Sequence, residues 1–404
     1  MEKMQLIASR HNLACLIHER PFDGINGSGK HCNWSVAAGS INLLNPGRNN
    51  KDNLRFLAFL SCVVAAVDEY QELLRASVAS AGNDCRLGGN EAPPAIISIY
   101  LGDALQKIID DVIAGRSIEY LKKEKMDLGV SVLPNILRDS ADRNRTSPFA
   151  FTTNKFEFRM PGSQENLSSS VMVLNTAVAK SLNDFNLKLD RLLKRAKRPV
   201  CGTESYNNCI LKCVSTTLKK HKRILFNGDG YSIQWEKEAS KRGLANNPTT
   251  ADALPCIVKE KSIKLFEKFE VLSKEELNSR YLIFLEKYNK LINIEYRIMQ
   301  RMTKRTYLPA IDAYASAVAT QISSITNVNS KYKLKNTKKI LDELVGGMNE
   351  ITDKLNNATK LHADSLKIEN QQKRANFNAH KLIPAMNELR CAVDKVEHIT
   401  SRDY

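Results

Sequence analysis

Hydrophobic and polar positions change rhythm once along this chain, near residue 165. Before that point, apolar stretches of strand length alternate with turn residues at Leu13–His18, Asn33–Ala37 and Lys155–Met160. Between them, Asn53–Val78 has the length and spacing of a buried helix, and Asp103–Ala114 predicts a shorter amphipathic one. After residue 165 the helical period takes over, over Val171–Arg195 and Ser205–Leu225, and a turn-rich stretch follows at Phe226–Ser232. Glu260–Arg305 carries a long apolar stripe through Leu277, Tyr281, Leu285, Tyr288 and Ile292. Pro309 lacks the amide that a helix interior needs, so it opens or kinks the next helix. Segments around Ile340–Leu355 and His380–Ile399 complete an antiparallel bundle. The expected fold class is α+β: a mainly antiparallel sheet with helices, followed by a long α-helical C-terminal bundle.

Composition narrows the function classes. With 404 residues, 43% of them hydrophobic, there is core material for two or three domains. No apolar run reaches the ~18 residues of a membrane span, and the N-terminal MEKMQLIASRHN lacks an apolar signal core. Nine cysteines without framework spacing point to reduced thiols and a cytoplasmic setting. Cys209 and Cys213 sit four apart with no second ligand pair after them, which favours ordinary helix cysteines over zinc. The net charge of +16 lies in short runs such as Lys333–Lys339. No nucleic-acid-binding motif accompanies those runs, so a solvated lysine-rich surface is expected rather than a nucleic-acid partner.

The candidate chemistry begins at Gly24–Ser35, GINGSGKHCNWS, whose first seven residues fit the phosphate-loop pattern G-x-x-x-x-G-K. A phosphate loop must run into a helix, yet HCNWSVAAG alternates as a strand does. Alternation puts His31, Asn33 and Ser35 on one face, with Cys32, Trp34 and Val36 packing on the other. In NKFEFRMPGS it likewise turns Phe156, Phe158 and Met160 inward and places Lys155, Glu157 and Arg159 opposite. A carboxylate between two cations, beside a strand bearing a histidine, can serve a divalent cation and a phosphate together. DRNRTSPF adds Arg143 and Arg145, and SAGNDCRLGGNEAPPA forms a glycine-rich loop with Arg86 and Glu91, a candidate lid.

Four ordered segments, NGSGKHCNWS, SVASAGNDCRLGGNEAPPAIIS, DRNRTSPFAFTTNKFEFRMPGS and KRILFNGDGYSIQWEKEASKRGL, together resemble glutamine synthetase in its type III form. The resemblance covers essentially the whole chain and is strongest over residues 10–165. It implies that residues 1–258 are the C-terminal part of the catalytic domain and 259–404 a helical C-terminal domain typical of type III. It also implies ATP-dependent joining of glutamate and ammonia through a γ-glutamyl phosphate. ATP is then a substrate, Mg²⁺ or Mn²⁺ the cofactor, and a homo-oligomeric double hexameric ring the expected assembly, with no membrane or nucleic-acid partner.

Carried over position by position, Asn26 and Gly27 match glutamate-binding positions and His31 and Glu157 match metal ligands. Arg86 and Arg159 match substrate-handling arginines, Arg145 a phosphate-handling catalytic arginine, and Glu91 the lid glutamate that helps to deprotonate ammonium. Asn33, Ser35 and Lys155 fall at nucleotide-side positions. Asn33 stands where the commoner bacterial type has a second histidine, Ala150 where it has an arginine, and Lys155 replaces another arginine without its planar fork. In that family the NGSG segment follows an N-terminal domain and carboxylate-bearing strands, whereas here it starts at residue 26. The expectation is therefore a C-terminal portion of a longer enzyme. The alternatives are a noncatalytic remnant with a binding or assembly role, and a basic helical scaffold.

Overall fold

The computed structural model describes residues 2–22, 24–46, 50–89, 92–115 and 146–404. They form an α+β structure with two compact units, Met1–Tyr281 and Leu282–Tyr404, and the division falls inside the helix Lys274–Met302.

In the first unit, four short strands build one sheet: β1 (Cys32–Trp34), β4 (Ile99–Tyr100), β5 (Phe149–Thr152) and β6 (Lys155–Phe158). Their order is β1-β6-β5-β4. β1–β6 and β6–β5 pair antiparallel, as expected, while β4 and β5 are parallel, so the sheet is mixed. β2 (Ala37–Ala38) and β3 (Ile41–Asn42) make a separate two-stranded ribbon. The β5–β6 hairpin turns on two residues, of which Thr153 takes the left-handed conformation (φ 62°) that a β-branched residue seldom adopts.

Period-two alternation decides which face is dry. Phe149, Phe151, Phe156 and Phe158 share one face with Cys32 and Trp34, and all six are buried. The Phe149 and Phe156 rings stack at 4.7 Å, with Phe151 edge-on to Phe156 at 5.2 Å. The helices Asn50–Glu69, Ser168–Arg195 and Glu204–His221 pack together in the same unit. Trp34 is anchored to the second of them by its indole N–H, which donates to Asn175 Oδ1 at 2.8 Å.

Two sequence expectations are corrected. Leu13–His18 is not a strand but irregular chain with Leu13 and Leu16 two-thirds exposed; it has the apolar letters of a strand but no ladder partner among the described residues. Asn53–Val78 is not one helix: it divides into Asn50–Glu69 and Gln71–Ala76 at Tyr70. A salt-bridged knot sits at that break, where Asp68 accepts from His221 (2.7 Å) and Arg223 (2.8 Å) and Lys180 pairs with Glu69 at 2.8 Å.

The second unit is helical: the remainder of Lys274–Met302, then Leu308–Val328, Lys335–Leu366, Gln371–Phe377 and Ile383–Glu397. Ile311, Val318, Leu344, Ile351, Leu355, Leu389 and Val393 share one apolar core. Pro309 opens Leu308–Val328 directly after a wide π turn at Thr303–Tyr307. Pro384 stands in the same relation to the π turn Asn378–Leu382. A proline has no N–H for the carbonyl four residues back, and a five-residue turn is one way to run the helix past that gap.

Candidate active site

The polar face of the sheet is built from β1 and β6. Asn33 pairs in register with Glu157, which in turn pairs with Ala150 on β5. Because Cys32 and Trp34 point to the dry face, His31, Asn33 and Ser35 are left exposed on the other side. His31 Nδ1 lies 2.8 Å from Glu157 Oε1, the imidazole side chain 44% exposed and the carboxylate 11% exposed. A histidine and a carboxylate from different segments of the chain thus meet at the rim of the sheet.

The glycine-rich approach to His31 is held by backbone pairing. Gly29 bridges Gly162, the Lys30 amide donates to the Pro161 carbonyl at 3.0 Å, and the Ser163 amide donates to the Ser28 carbonyl at 3.2 Å. Beneath it lies Arg86, only 1% exposed. Its guanidinium donates to the carbonyls of Met160 (2.9 Å) and Arg159 (2.9 Å) and to Asn83 Oδ1 (3.2 Å). A Cβ on Gly27 would lie 2.6 Å from Arg86 Cγ, and one on Gly29 would overlap the guanidinium. Glycine is therefore required at both positions by the close approach of Arg86. Burial pushes the Arg86 pKa down to about 10, opposed by nearby Glu19 and Tyr231 and aided by the Arg159 cation.

Arg159 is buried as well, and its guanidinium donates to the Ser147 carbonyl. Ser147 is held by Ser98 (2.8 Å) and donates to the carbonyl of Phe226 at 3.0 Å, which ties FNGDGYS to the same end of the sheet. Ser35 is exposed and donates to Asn42 Oδ1 (2.8 Å) and to the carbonyl of Asn154 (3.1 Å), at the hairpin turn next to the exposed Lys155. Asn26 is exposed and Gly27 half-buried on the loop over Arg86. Glu91, Arg143 and Arg145 lie outside the described residues.

Several residues that hold this region were not singled out in the sequence. Asn83 is fully buried and donates to the carbonyls of Val78 (2.7 Å) and Met160 (3.1 Å). Asp84 accepts from Arg75 Nη2 (3.0 Å) and from the Thr250 amide and hydroxyl, locking Ala81–Arg86 in place. Its burial raises the pKa, against the opposing pull of Arg75 and Thr250. Glu19 is buried between Gly82 and Gly162, where its Oε1 accepts from the Gln164 amide at 3.2 Å. Only the Ser80 cap on Asn83 had a local sequence signal, a helix-start pattern.

A divalent cation could use this pair, since imidazole nitrogen and carboxylate oxygen are both suitable donors and already lie within one ligand sphere of each other. Among the described residues no group of three or more His, Cys, Asp and Glu side chains comes together. Hard cations take about six ligands, so His31 and Glu157 fit as two members of a larger ligand set.

The fold and site together define an α+β protein in which the polar rim of the sheet joins a histidine to a carboxylate, beside a glycine loop clamped on a buried arginine. The comparisons make the class specific. The glutamine synthetase C-terminal domain matches residues 209–326. The chain is 42% identical to the type-3 glutamine synthetase of Dictyostelium discoideum, over 99% of its own length and 54% of that protein's. It is 38% identical to the glutamine synthetase of Butyrivibrio fibrisolvens, covering 100% and 56%. With that of Bacteroides fragilis it shares 34% identity over 98% and 55%. The chain belongs to the glutamine synthetase family, and it spans about half the length of the curated relatives it matches.

Proposed function

We propose that this chain is the C-terminal portion of a glutamate–ammonia ligase, residues 1–258 being catalytic-domain sequence and 259–404 a helical C-terminal domain. The observation that supports it most is the His31–Glu157 approach at 2.8 Å, on the sequence positions where the resemblance places metal ligands. His31 and Glu157 would hold Mg²⁺ or Mn²⁺, whose charge neutralises the transferring phosphoryl group. In the reaction a γ-carboxylate oxygen of glutamate takes the γ-phosphoryl group of ATP and ADP leaves. Ammonia then attacks the acyl carbon, phosphate leaves, and the nitrogen loses a proton.

This chain's residues would divide the work as follows. Asn26 and Gly27 present the glutamate-binding backbone, which Arg86 holds from beneath, so that Arg86 serves the substrate through the loop. Arg159 and Arg145 supply positive charge to phosphate and substrate, and Asn33, Ser35 and Lys155 receive the nucleotide at the exposed strand ends. Glu91 removes the ammonium proton and closes the site against water. Cytoplasmic placement and a homo-oligomeric ring belong to the same proposal, and no helix among the described residues is long and apolar enough to cross a membrane.

The test is γ-glutamyl hydroxamate formation with Mg²⁺ or Mn²⁺. It is run on the chain alone and after mixing with a polypeptide carrying the part of the Dictyostelium discoideum relative that lies outside its match to this chain. Activity on the chain alone or only on mixing supports the proposal, and activity only on mixing shows that the second polypeptide completes the site. No activity in either arrangement overturns it and leaves a noncatalytic assembly role.

A further inference from the structure

The second unit carries a recess on the outer side of the helix Lys274–Met302 and the π turn after it, which the proposed reaction does not use. Its walls are formed by Ile294, Arg297, Ile298, Arg301, Lys304 and Arg305, and its volume is about 680 Å³. Several other surface cations of this unit sit beside acids, as Lys290 does with Glu286, Lys354 with Glu388, Arg390 with Asp394 and Lys395 with Glu350. Among the described residues no carboxylate forms an ion pair with Arg297, Arg301, Lys304 or Arg305. Four cations are thus concentrated over nine residues with their charge unbalanced.

The same stripe is apolar where the bundle does not need it. Ile294 and Ile298 are 50% and 52% exposed, and Met302 is 42% exposed. The opposite stripe of the helix, Leu285, Tyr288, Ile292 and Tyr296, is buried. Helical spacing puts the exposed isoleucines one above the other beside the row of Arg297 and Arg301, an arrangement that core packing does not explain.

We propose that this recess docks an acidic amphipathic helix of a partner protein. Its aliphatic side chains would seat on Ile294 and Ile298 and its carboxylates on the four cations. Arg297 to Arg305 spans eight residue steps, or ~12 Å, which two turns of a helix laid alongside would match with carboxylates three and four residues apart. Three of the four cations are arginines, whose planar fork donates to a carboxylate bidentately. The apolar wall is aliphatic and offers no aromatic face on which a base could stack, so the chemistry favours a protein helix over single-stranded nucleic acid. A patch this small gives a transient association rather than a permanent one.

The probe is a fluorescein-labelled synthetic helix of about 18 residues with leucines at helical spacing flanked by glutamates, read by anisotropy on the full chain in about 50 and about 300 mM salt. A scrambled peptide and a single-stranded RNA of similar charge run beside it. Saturable binding is expected, weakened about tenfold or more by Arg297→Glu with Arg301→Glu, and likewise by Ile298→Asp and by the higher salt. Lys338→Glu, an exposed cation outside the recess, should leave the affinity within about twofold. Circular dichroism checks that each variant is folded. Equal binding of the scrambled peptide, tighter binding of the RNA, or no saturable binding overturns the proposal. So does a self-association that Ile298→Asp abolishes in sedimentation, because the face would then belong to a second copy of the chain.

Discussion

Gly27→Ala probes the glycine loop through a contact that can be checked independently. The new methyl group would lie 2.6 Å from Arg86 Cγ and 3.3 Å from Ala92 Cβ. Arg86 cannot swing aside freely, because it is pinned by the carbonyls of Met160 and Arg159. If the backbone yields instead, overpacking costs about 1–3 kcal/mol, and if one guanidinium bond breaks the cost is about 1.5–3 kcal/mol. Either route gives about 2 kcal/mol, a fall in Tm of about 4–8 °C for a domain of this size.

Arg86→Ala by itself loses three hydrogen bonds from a charged donor, about 4.5–9 kcal/mol gross. Burial of the charge offsets part of that loss, as the pKa lowered to about 10 shows. In the Arg86→Ala background the Cγ is gone, and Gly27→Ala should cost little. A double-mutant cycle by urea titration should therefore show a coupling of about 1–2 kcal/mol. Additivity within about 0.5 kcal/mol would refute the claim that glycine is required at this position because of Arg86.

Glu157→Gln should weaken Mn²⁺ binding by about tenfold or more in electron paramagnetic resonance titrations while leaving Tm within a few degrees; unchanged affinity would remove Glu157 from the ligand set. Phe156→Ala, which deletes the ring at the centre of the four-phenylalanine face, should cost about 3–5 kcal/mol in denaturant titrations, and a loss below about 1 kcal/mol would contradict its place in the core. His362, packed on Tyr296 at 4.2 Å, has its pKa lowered, chiefly by burial and secondarily by Arg297. The folded state therefore resists protonating it. Its contribution is complete above the unfolded-state value of 6.5 and is lost as the pH falls through the lower folded value. His362→Gln should flatten the decline of Tm between about pH 7 and pH 5, and parallel profiles would refute the assignment.

The β1 and β6 faces were legible because alternation is local: Cys32, Trp34, Phe156 and Phe158 are buried where their apolar letters fall. The helix Ser168–Arg195 and the long helix ending at Met302 were legible for the same reason, through a 3.6-residue period. Leu13–His18 misled, because an apolar run does not say whether a neighbouring strand exists to receive its hydrogen bonds. The single helix expected over Asn53–Val78 missed the break at Tyr70, where charged groups distant in sequence converge.

By itself the sequence determined which faces of β1 and β6 and of the long helices carry the apolar residues, and with them the set of side chains available to the candidate site. That followed because facing is fixed by the few residues on either side. Only the tertiary structure decided that His31 meets Glu157 across 126 positions and that Arg86 is buried beneath Gly27 and Gly29. It alone also showed that, among the described residues, no carboxylate forms an ion pair with Arg297, Arg301, Lys304 or Arg305. Those are matters of register and packing between distant segments. They depend on which backbone donors and acceptors find each other when the chain closes, and local periodicity carries no record of that choice.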